Sequence, residues 1–357
     1  MPRTMICNNL HQPSPVANDR IAVSIARAPL GRRGFSIPEF MVAMTITLIL
    51  SLGAIQILVS GKEIYRAEDA QARMQETGRF GSQFLGFELR MAGFMGCPNL
   101  RRLTPKNVAL PAPTVPFDLS NFVRGYEASA GAWSPALPAS LAAATTGTDV
   151  ISVQRAANCS VGLTNPMATD TSSVSVPLAN TCGFAAQDVV IVSDCVSADI
   201  FKVSGTITNG GNFFLGHGTA TNSSGRLSKA YGTDAQISKL QSTSFYVAPA
   251  ANGEPSLWQL QDGAALELVE GVQDLQILYG TDDNDDLAVD RYVTADTPGL
   301  DMGKVLSVRL GMLVRSTSDF VTPTAQTYLF NGVSSTATDK RMRRVFTTTV
   351  NLRDRTL

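Results

Sequence analysis

The string Gly31-Arg32-Arg33-Gly34-Phe35-Ser36-Ile37-Pro38-Glu39-Phe40 sets a basic pair, a glycine, a phenylalanine and a glutamate at the mouth of twenty uncharged residues, Phe40–Val59. Glu39 is the residue whose type and position invite chemistry, because a carboxylate inside an apolar helix is expensive and is a functional candidate by default. Suppose the chain is cut between Gly34 and Phe35. The new α-amino group of Phe35 is then a cation one helical turn from Glu39. In a packed bundle, the amine of one subunit can neutralise Glu39 of its neighbour and remove an unpaired buried charge that costs on the order of several kcal/mol. Pro38 agrees with the same cut. Inside a helix, proline clashes with the carbonyl four residues back, which here belongs to Gly34. Once Gly34 is gone, Pro38 lies among the first four positions, whose N–H groups have no helical partner.

The element that must carry these residues is the apolar stretch itself. As a helix, twenty residues span ~30 Å, about the hydrocarbon thickness of a bilayer. Residues 1–34 hold Arg3, Arg20, Arg27, Arg32 and Arg33 against one acid, Asp19, while Lys62, Glu63, Arg66, Glu68 and Asp69 follow the apolar stretch. The positive-inside rule therefore puts the N-terminus in the cytoplasm and the long C-terminal part outside. A secretory signal peptide is one reading, but its apolar region is shorter and ends at a small-residue cleavage site, a role for which Val59-Ser60-Gly61 is poor. A plain single-span anchor is the second reading, and the cut at Gly34 is the third.

Gly34-Phe35-Ser36-Ile37-Pro38-Glu39 ahead of a twenty-residue apolar helix resembles the class III signal of type IV prepilins and pseudopilins. The resemblance implies a prepilin peptidase that cuts after Gly34 on the cytoplasmic side and methylates Phe35, with Phe35 and Glu39 carrying assembly. It implies a leader over residues 1–34, longer than is usual in the family, and a transmembrane and assembly helix over 35–59. An amphipathic continuation of the helix over 60–96 and a β-rich pilin domain over 97–357 complete the expected organisation. Further strings resemble the PilW-like minor pilins: 188–195, 269–280, 308–316 and the tail 346–355. The implied function is a minor pilin that helps start a type IV pilus, waiting in the inner membrane with its C-terminal domain in the periplasm. Its partners would be the peptidase, other minor and major pilins, and inner-membrane lipid. A type II secretion pseudopilin shares the same leader, and a pilus-tip adhesin or ligand-binding module is a third possibility of a different class.

Past the span, Ile64, Ala67, Gln71, Met74, Gly78, Phe80, Phe84, Phe87 and Met91 keep three- and four-residue spacing, so the helix is expected to run on to about Met95 and to end before Cys97-Pro98. Prolines 105, 111, 113, 116, 135 and 138 predict an irregular loop over about 98–148. Beyond it, β-branched runs bounded by Gly, Asn, Asp and Pro predict strands. These are 149–154, 173–176, 188–193, 200–207, 212–215, 243–247, 256–260, 265–269, 275–279, 304–315, 326–330 and 343–352. In the run from Val305 to Met312 the alternation suits one covered face. One long helix followed by many short strands predicts an α+β fold with antiparallel sheet.

With 29 Lys+Arg against 30 Asp+Glu, the chain has no basic excess to hold a nucleic-acid backbone, so no nucleic-acid partner is expected. Phosphate-loop, dinucleotide, nucleophile-elbow and zincin motifs are all missing from the sequence, which points away from an enzyme. Of the two histidines, His11 lies in the leader and His217 sits in Gly216-His217-Gly218, where an exposed turn position is expected. Cys7 would leave with the leader, and Cys97, Cys159, Cys182 and Cys195 would reach an oxidising compartment, where two disulfides are expected. Three connectivities are open; loop-closure entropy favours Cys182–Cys195, which leaves Cys97–Cys159. No resident cofactor is expected. The one candidate is calcium at the acidic run 281–286 with Asp290, through Asp282, Asn284, Asp286 and Asp290, although the run departs from the EF-hand pattern and also reads as a solvated acidic turn.

Overall fold

The structure is a computed structural model, and it describes Gly34 and residues 36–96, 105–110, 122–129 and 131–352. The chain divides into two units, Met1–Val59 and Ser60–Leu357. In the first, the described residues beyond Gly34 and Ser36 belong to helix α1, which covers Ile37–Arg90. This part of α1 is long and apolar enough to cross a membrane, and none of its apolar window is buried against the protein. The hydroxyls of Thr45 and Thr47 donate to the carbonyls of Met41 and Ala43, so both polar groups are satisfied by the helix's own backbone.

The second unit holds the remainder of α1 and eighteen described strands. They are β1 (Lys106–Asn107), β2 (Val123–Ser129), β3 (Ala132–Ser134), β4 (Val150–Gly162), β5 (Val174–Pro177) and β6 (Val189–Ser193). Then come β7 (Ala198–Lys202), β8 (Gly205–Asn209), β9 (Asn212–Gly216), β10 (Gln236–Pro249), β11 (Pro255–Gln261) and β12 (Ala264–Glu270). The last six are β13 (Val272–Thr281), β14 (Arg291–Val293), β15 (Val305–Arg315), β16 (Thr327–Phe330), β17 (Val333–Thr336) and β18 (Arg343–Asn351). A nine-stranded sheet runs β1-β7-β6-β10-β4-β2-β3, with β11 and then β12 added alongside β10. A four-stranded sheet runs β14-β13-β15-β18, and β5-β9-β8 and β16-β17 form two smaller sheets. The α+β expectation holds, and pairing is antiparallel except between β1 and β7.

Strand β10 organises the large sheet because it is long enough to serve two partners on one side. Gln236–Lys239 pair with β6 and Thr243–Pro249 with β11, while β4 follows the opposite side. The irregularity between Ser238 and Leu240 lies near the point where the partner changes, as expected of a bulge that re-aims a strand. The main core lies where α1 meets the two larger sheets: Met74, Leu85 and Leu89 pack with Phe245, Val247, Ile277, Leu310 and Met312.

Four expectations need correction here. The buried stripe of α1 is Ala70, Met74, Gly78, Gly81, Leu85 and Leu89, whereas Ile64, Phe80 and Phe87 are exposed. The stripe uses small residues because side chains of the four-stranded sheet fill the space: a Cβ on Gly78 would lie 2.5 Å from the Phe346 ring, and one on Gly81 would lie 3.3 Å from the Met312 sulfur. The helix stops at Arg90, ahead of Cys97-Pro98, because Gly93 takes a φ of +79° and sends its N–H to the carbonyl of Gln154. The region expected to be irregular contains β2 and β3, and β2 buries Val123 and Tyr126 completely. Strand β15 is covered on both faces, since Phe330 of β16 lies on the side away from α1's glycines and approaches Gly311.

Candidate functional site

Ser36 and Glu39 form a reciprocal cap at the start of α1. The Ser36 N–H and hydroxyl both donate to the Glu39 carboxylate at 3.2 Å, and the Glu39 N–H reaches back to the Ser36 hydroxyl at 3.4 Å. The first helical bond runs from Phe40 N–H to the Ser36 carbonyl at 3.1 Å. This is a capping box, and its Ser-x-x-Glu signature is readable at 36–39. Pro38 falls in the first turn, where its missing N–H costs no helical bond. Among the described residues, the Glu39 carboxylate accepts its hydrogen bonds from Ser36. It stands exposed at the head of exposed Phe40, Met41, Val42 and Met44. Phe35, the expected new N-terminus, and the leader before Gly34 lie outside the described residues.

The second unit contains an ion pair that apolar periodicity did not disclose. Glu88, on the buried stripe of α1, meets Arg155 of β4 through two bonds, Nε to Oε2 at 2.8 Å and Nη2 to Oε1 at 3.1 Å. Both side chains are almost fully buried, at 6% and 4% exposure. Arg155 Nη1 adds bonds to the Ala156 carbonyl and Asn158 Oδ1, so the guanidinium is satisfied on three sides. The signal in the sequence is positional: Glu88 falls three residues after Leu85, on the face turned to the core.

The cysteines pair differently from the expectation. Cys159 is bonded to Cys182, closing a separation of 23 residues, which excludes both Cys182–Cys195 and Cys97–Cys159. Cys195 is disulfide-bonded as well. Loop length misled because tertiary pairing brings distant segments together: Cys159 lies on β4, and Cys182 packs at the margin of the core around β5, β6 and β7. His217 also differs from expectation. It is 3% exposed, its ring meets Phe201 edge-on at 5.3 Å, and Nε2 lies 2.8 Å from the Ser172 carbonyl.

The acidic loop directs its oxygens to itself. Asp282 accepts from the N–H groups of Asp286 and Leu287, Asp286 from that of Ala288, and Asp290 from that of Asp283. Asn284 donates to Asp286, Arg291 pairs with Asp283, and Lys304 pairs with Asp285. The hydrogen bond that Lys304 donates to the Asp285 carboxylate raises the ammonium pKa above its usual range. Among the described residues, no group of three or more His, Cys, Asp or Glu side chains is arranged to hold a metal ion.

A groove of about 880 Å³ separates α1 from the end of β12 and the loop 315–321. Of its charged side chains, Arg73 pairs with Asp69, and Arg315 with Glu254, which also binds Arg341.

No curated protein and no solved structure matches the chain. The model of one protein family, described as Type IV Pilus-assembly protein W, matches residues 244–354, from within β10 through β18. Three of the four strings that resemble PilW-like proteins fall in or overlap this match, and the string at 188–195 lies outside it. That family is one of pilus-assembly proteins rather than enzymes, and the match supports a type IV pilus-related protein with a role in pilus assembly.

Proposed function

We propose that this chain is a non-enzymatic minor pilin, anchored in the inner membrane by α1, that helps to initiate a type IV pilus. The observation that carries the reading is the register of Gly34, Phe35 and Glu39 at the mouth of an apolar helix long enough to span a bilayer. The family match at 244–354 supports it independently, from the other end of the chain. In this reading a prepilin peptidase removes residues 1–34 and methylates Phe35. The freed ammonium of one subunit then answers Glu39 of the next, and the apolar face of α1 packs among other pilin helices. Exposed apolar side chains on every side of Phe40–Val59 suit a segment that passes from lipid into a helical bundle. The basic leader keeps the N-terminus cytoplasmic, and the β-rich unit is exported.

The intact mass of the membrane-extracted full chain tests this reading. Cells with active peptidase should yield a chain that begins at methylated Phe35, and cells without it should yield the Met1 species. An unprocessed chain in the presence of active peptidase overturns the proposal and leaves a tethered ectodomain. Capture of type II secretion components in place of pilins would transfer the same assembly physics to that machine.

A further inference from the structure

The four-stranded sheet ends on β18, and one edge of β18 has no strand beside it. Strand β15 takes the other edge along its whole length, from Ser307 opposite Asn351 to Arg315 opposite Arg343. Bonds just beyond the two ends fix which residues face which way. The Leu352 N–H donates to the Leu306 carbonyl, and the Ser316 N–H to the Met342 carbonyl, each at 2.8 Å. Bonded residues alternate along an antiparallel pair. Arg344, Phe346, Thr348 and Val350 therefore bond to β15, while Arg343, Val345, Thr347, Thr349 and Asn351 turn their N–H and C=O groups outward. At Arg343 the Gln326 carboxamide fills the place of a neighbouring strand, accepting the N–H at 2.7 Å and donating to the carbonyl at 2.9 Å. Past it, among the described residues, nothing meets the outward backbone groups of Val345, Thr347, Thr349 and Asn351. Thr347, Thr349 and Asn351 are exposed.

An open edge is a template for another strand, and proteins blunt it with charge, proline or shortness. The opposite edge of this sheet, β14, is three residues long. From Val345 to Asn351, β18 has none of these devices: the run is Val, Phe, three Thr, Val and Asn. Its flank is basic. Helix α1 runs along β18 in the same direction, with Gly78 against Phe346 and Gly86 against Val350; eight helical residues rise ~12 Å and four strand residues ~13 Å. A Cβ on Gly86 would lie 3.6 Å from Val350 and 3.8 Å from the Arg90 guanidinium, which sets Arg90 at the Val350 end. At the other end Arg344 lies 5.6 Å over the Phe346 ring, and Arg79 follows Gly78. All three arginines are exposed, and none has an ion-pair partner among the described residues.

We propose that the outer edge of β18 takes up an extended, acidic segment of another protein chain as a fifth strand of this sheet. Main-chain bonds to Val345, Thr347, Thr349 and Asn351 hold the segment, and Arg79, Arg90 and Arg344 select its carboxylates. A second copy of β18 is the wrong occupant. Antiparallel pairing, the arrangement that repeats under a two-fold axis, would set two basic flanks side by side and turn one α1 end for end. The proposal does not depend on cleavage at Gly34, so the two readings fail separately.

The test uses the full chain in detergent micelles and two capped seven-residue probes, one alternating valine with glutamate and one alternating valine with lysine. Excess glutamate probe should slow amide exchange at Val345, Thr347, Thr349 and Asn351 and leave Arg344, Phe346, Thr348 and Val350 unchanged. The lysine probe should bind on the order of tenfold more weakly at low salt, a difference that added salt erases. Thr347→Pro removes an outward N–H and no bond to β15, and proline is tolerated at such edge positions, so it should abolish the protection. Arg79→Glu with Arg90→Glu leaves β18 untouched and should reverse the preference between the probes, a readout that stands even where the proline variant does not fold. Absence of protection at the outward amides, equal binding of both probes, or protection that grows with chain concentration and no probe, the mark of a second copy, overturns the proposal.

Discussion

At the scale of single residues, Glu39 serves two physical purposes that can be separated. Its carboxylate closes a capping box with Ser36, and in the proposed assembly it also supplies the negative charge that a neighbour's ammonium meets. Glutamine can occupy the same place in a capping box without the charge. Glu39→Gln is therefore expected to leave peptidase cleavage and helix content unchanged, while capture of partner pilins falls as far as it does for Glu39→Ala. Pull-down from membranes reads the result, and wild-type recovery with the glutamine variant would assign Glu39 to capping alone. Both purposes are visible in the sequence: the cap in Ser36-x-x-Glu39, and the charge in a lone acid beside twenty uncharged residues.

At the scale of elements, α1 docks in the second unit through missing side chains and one buried ion pair. Gly78→Ala would set a methyl group 2.5 Å from the Phe346 ring, and overpacking of this kind costs about 1–3 kcal/mol. Chemical denaturation of the full chain in detergent should show that loss, and Phe346→Leu in the same chain should recover part of it. Arg155→Ala would leave Glu88 buried without its partner, a change worth about 3–5 kcal/mol. Replacing both residues with apolar ones of similar volume should cost much less, because the desolvation of two charges is then avoided. A double variant as unstable as Arg155→Ala would show that packing, rather than the stranded charge, dominates. The helical character of 60–90 was legible from spacing, but its buried face was not. Periodicity marks large apolar residues, and beside Met74, Leu85 and Leu89 this face is made from Ala70, Gly78, Gly81 and a paired glutamate.

At the scale of the whole molecule, two measurements probe how distant segments are held. A non-reducing digest should yield a Cys159–Cys182 peptide, and Cys159→Ser with Cys182→Ser should lower stability by roughly 3 kcal/mol, as loop entropy predicts for a closure of this length. Recovery of a Cys182–Cys195 peptide would contradict the fold around β5 to β7. The pH profile should be a dome. From pH 8 down to about 5, stability is expected to rise as Glu127 and Asp149 take up protons, because burial sets their folded pKa values above the unfolded ones. Further acidification reverses the trend. The hydrogen bond from Arg343 holds Asp339 down at about 2 against a usual 3.8, so its contribution is present above 3.8 and is lost as pH falls through 2. Thermal unfolding across that range checks both limbs, and a monotonic rise toward alkaline pH would refute the carboxyl limb.

The sequence by itself determined the apolar helix, the acid at its entrance, the proposed point of cleavage and most of the strands, because these depend on neighbours a few residues apart. Tertiary structure alone decided that Cys159 joins Cys182, that His217 is buried, that β2 enters the core and that Glu88 finds Arg155. Each of these joins residues that are not near neighbours in the chain, the ion pair across 67 positions, and their partners are chosen by sheet pairing and desolvation rather than by local spacing. The upward pKa shifts of Glu127 and Asp149 belong with them, because burial causes both and exists only once the chain has folded.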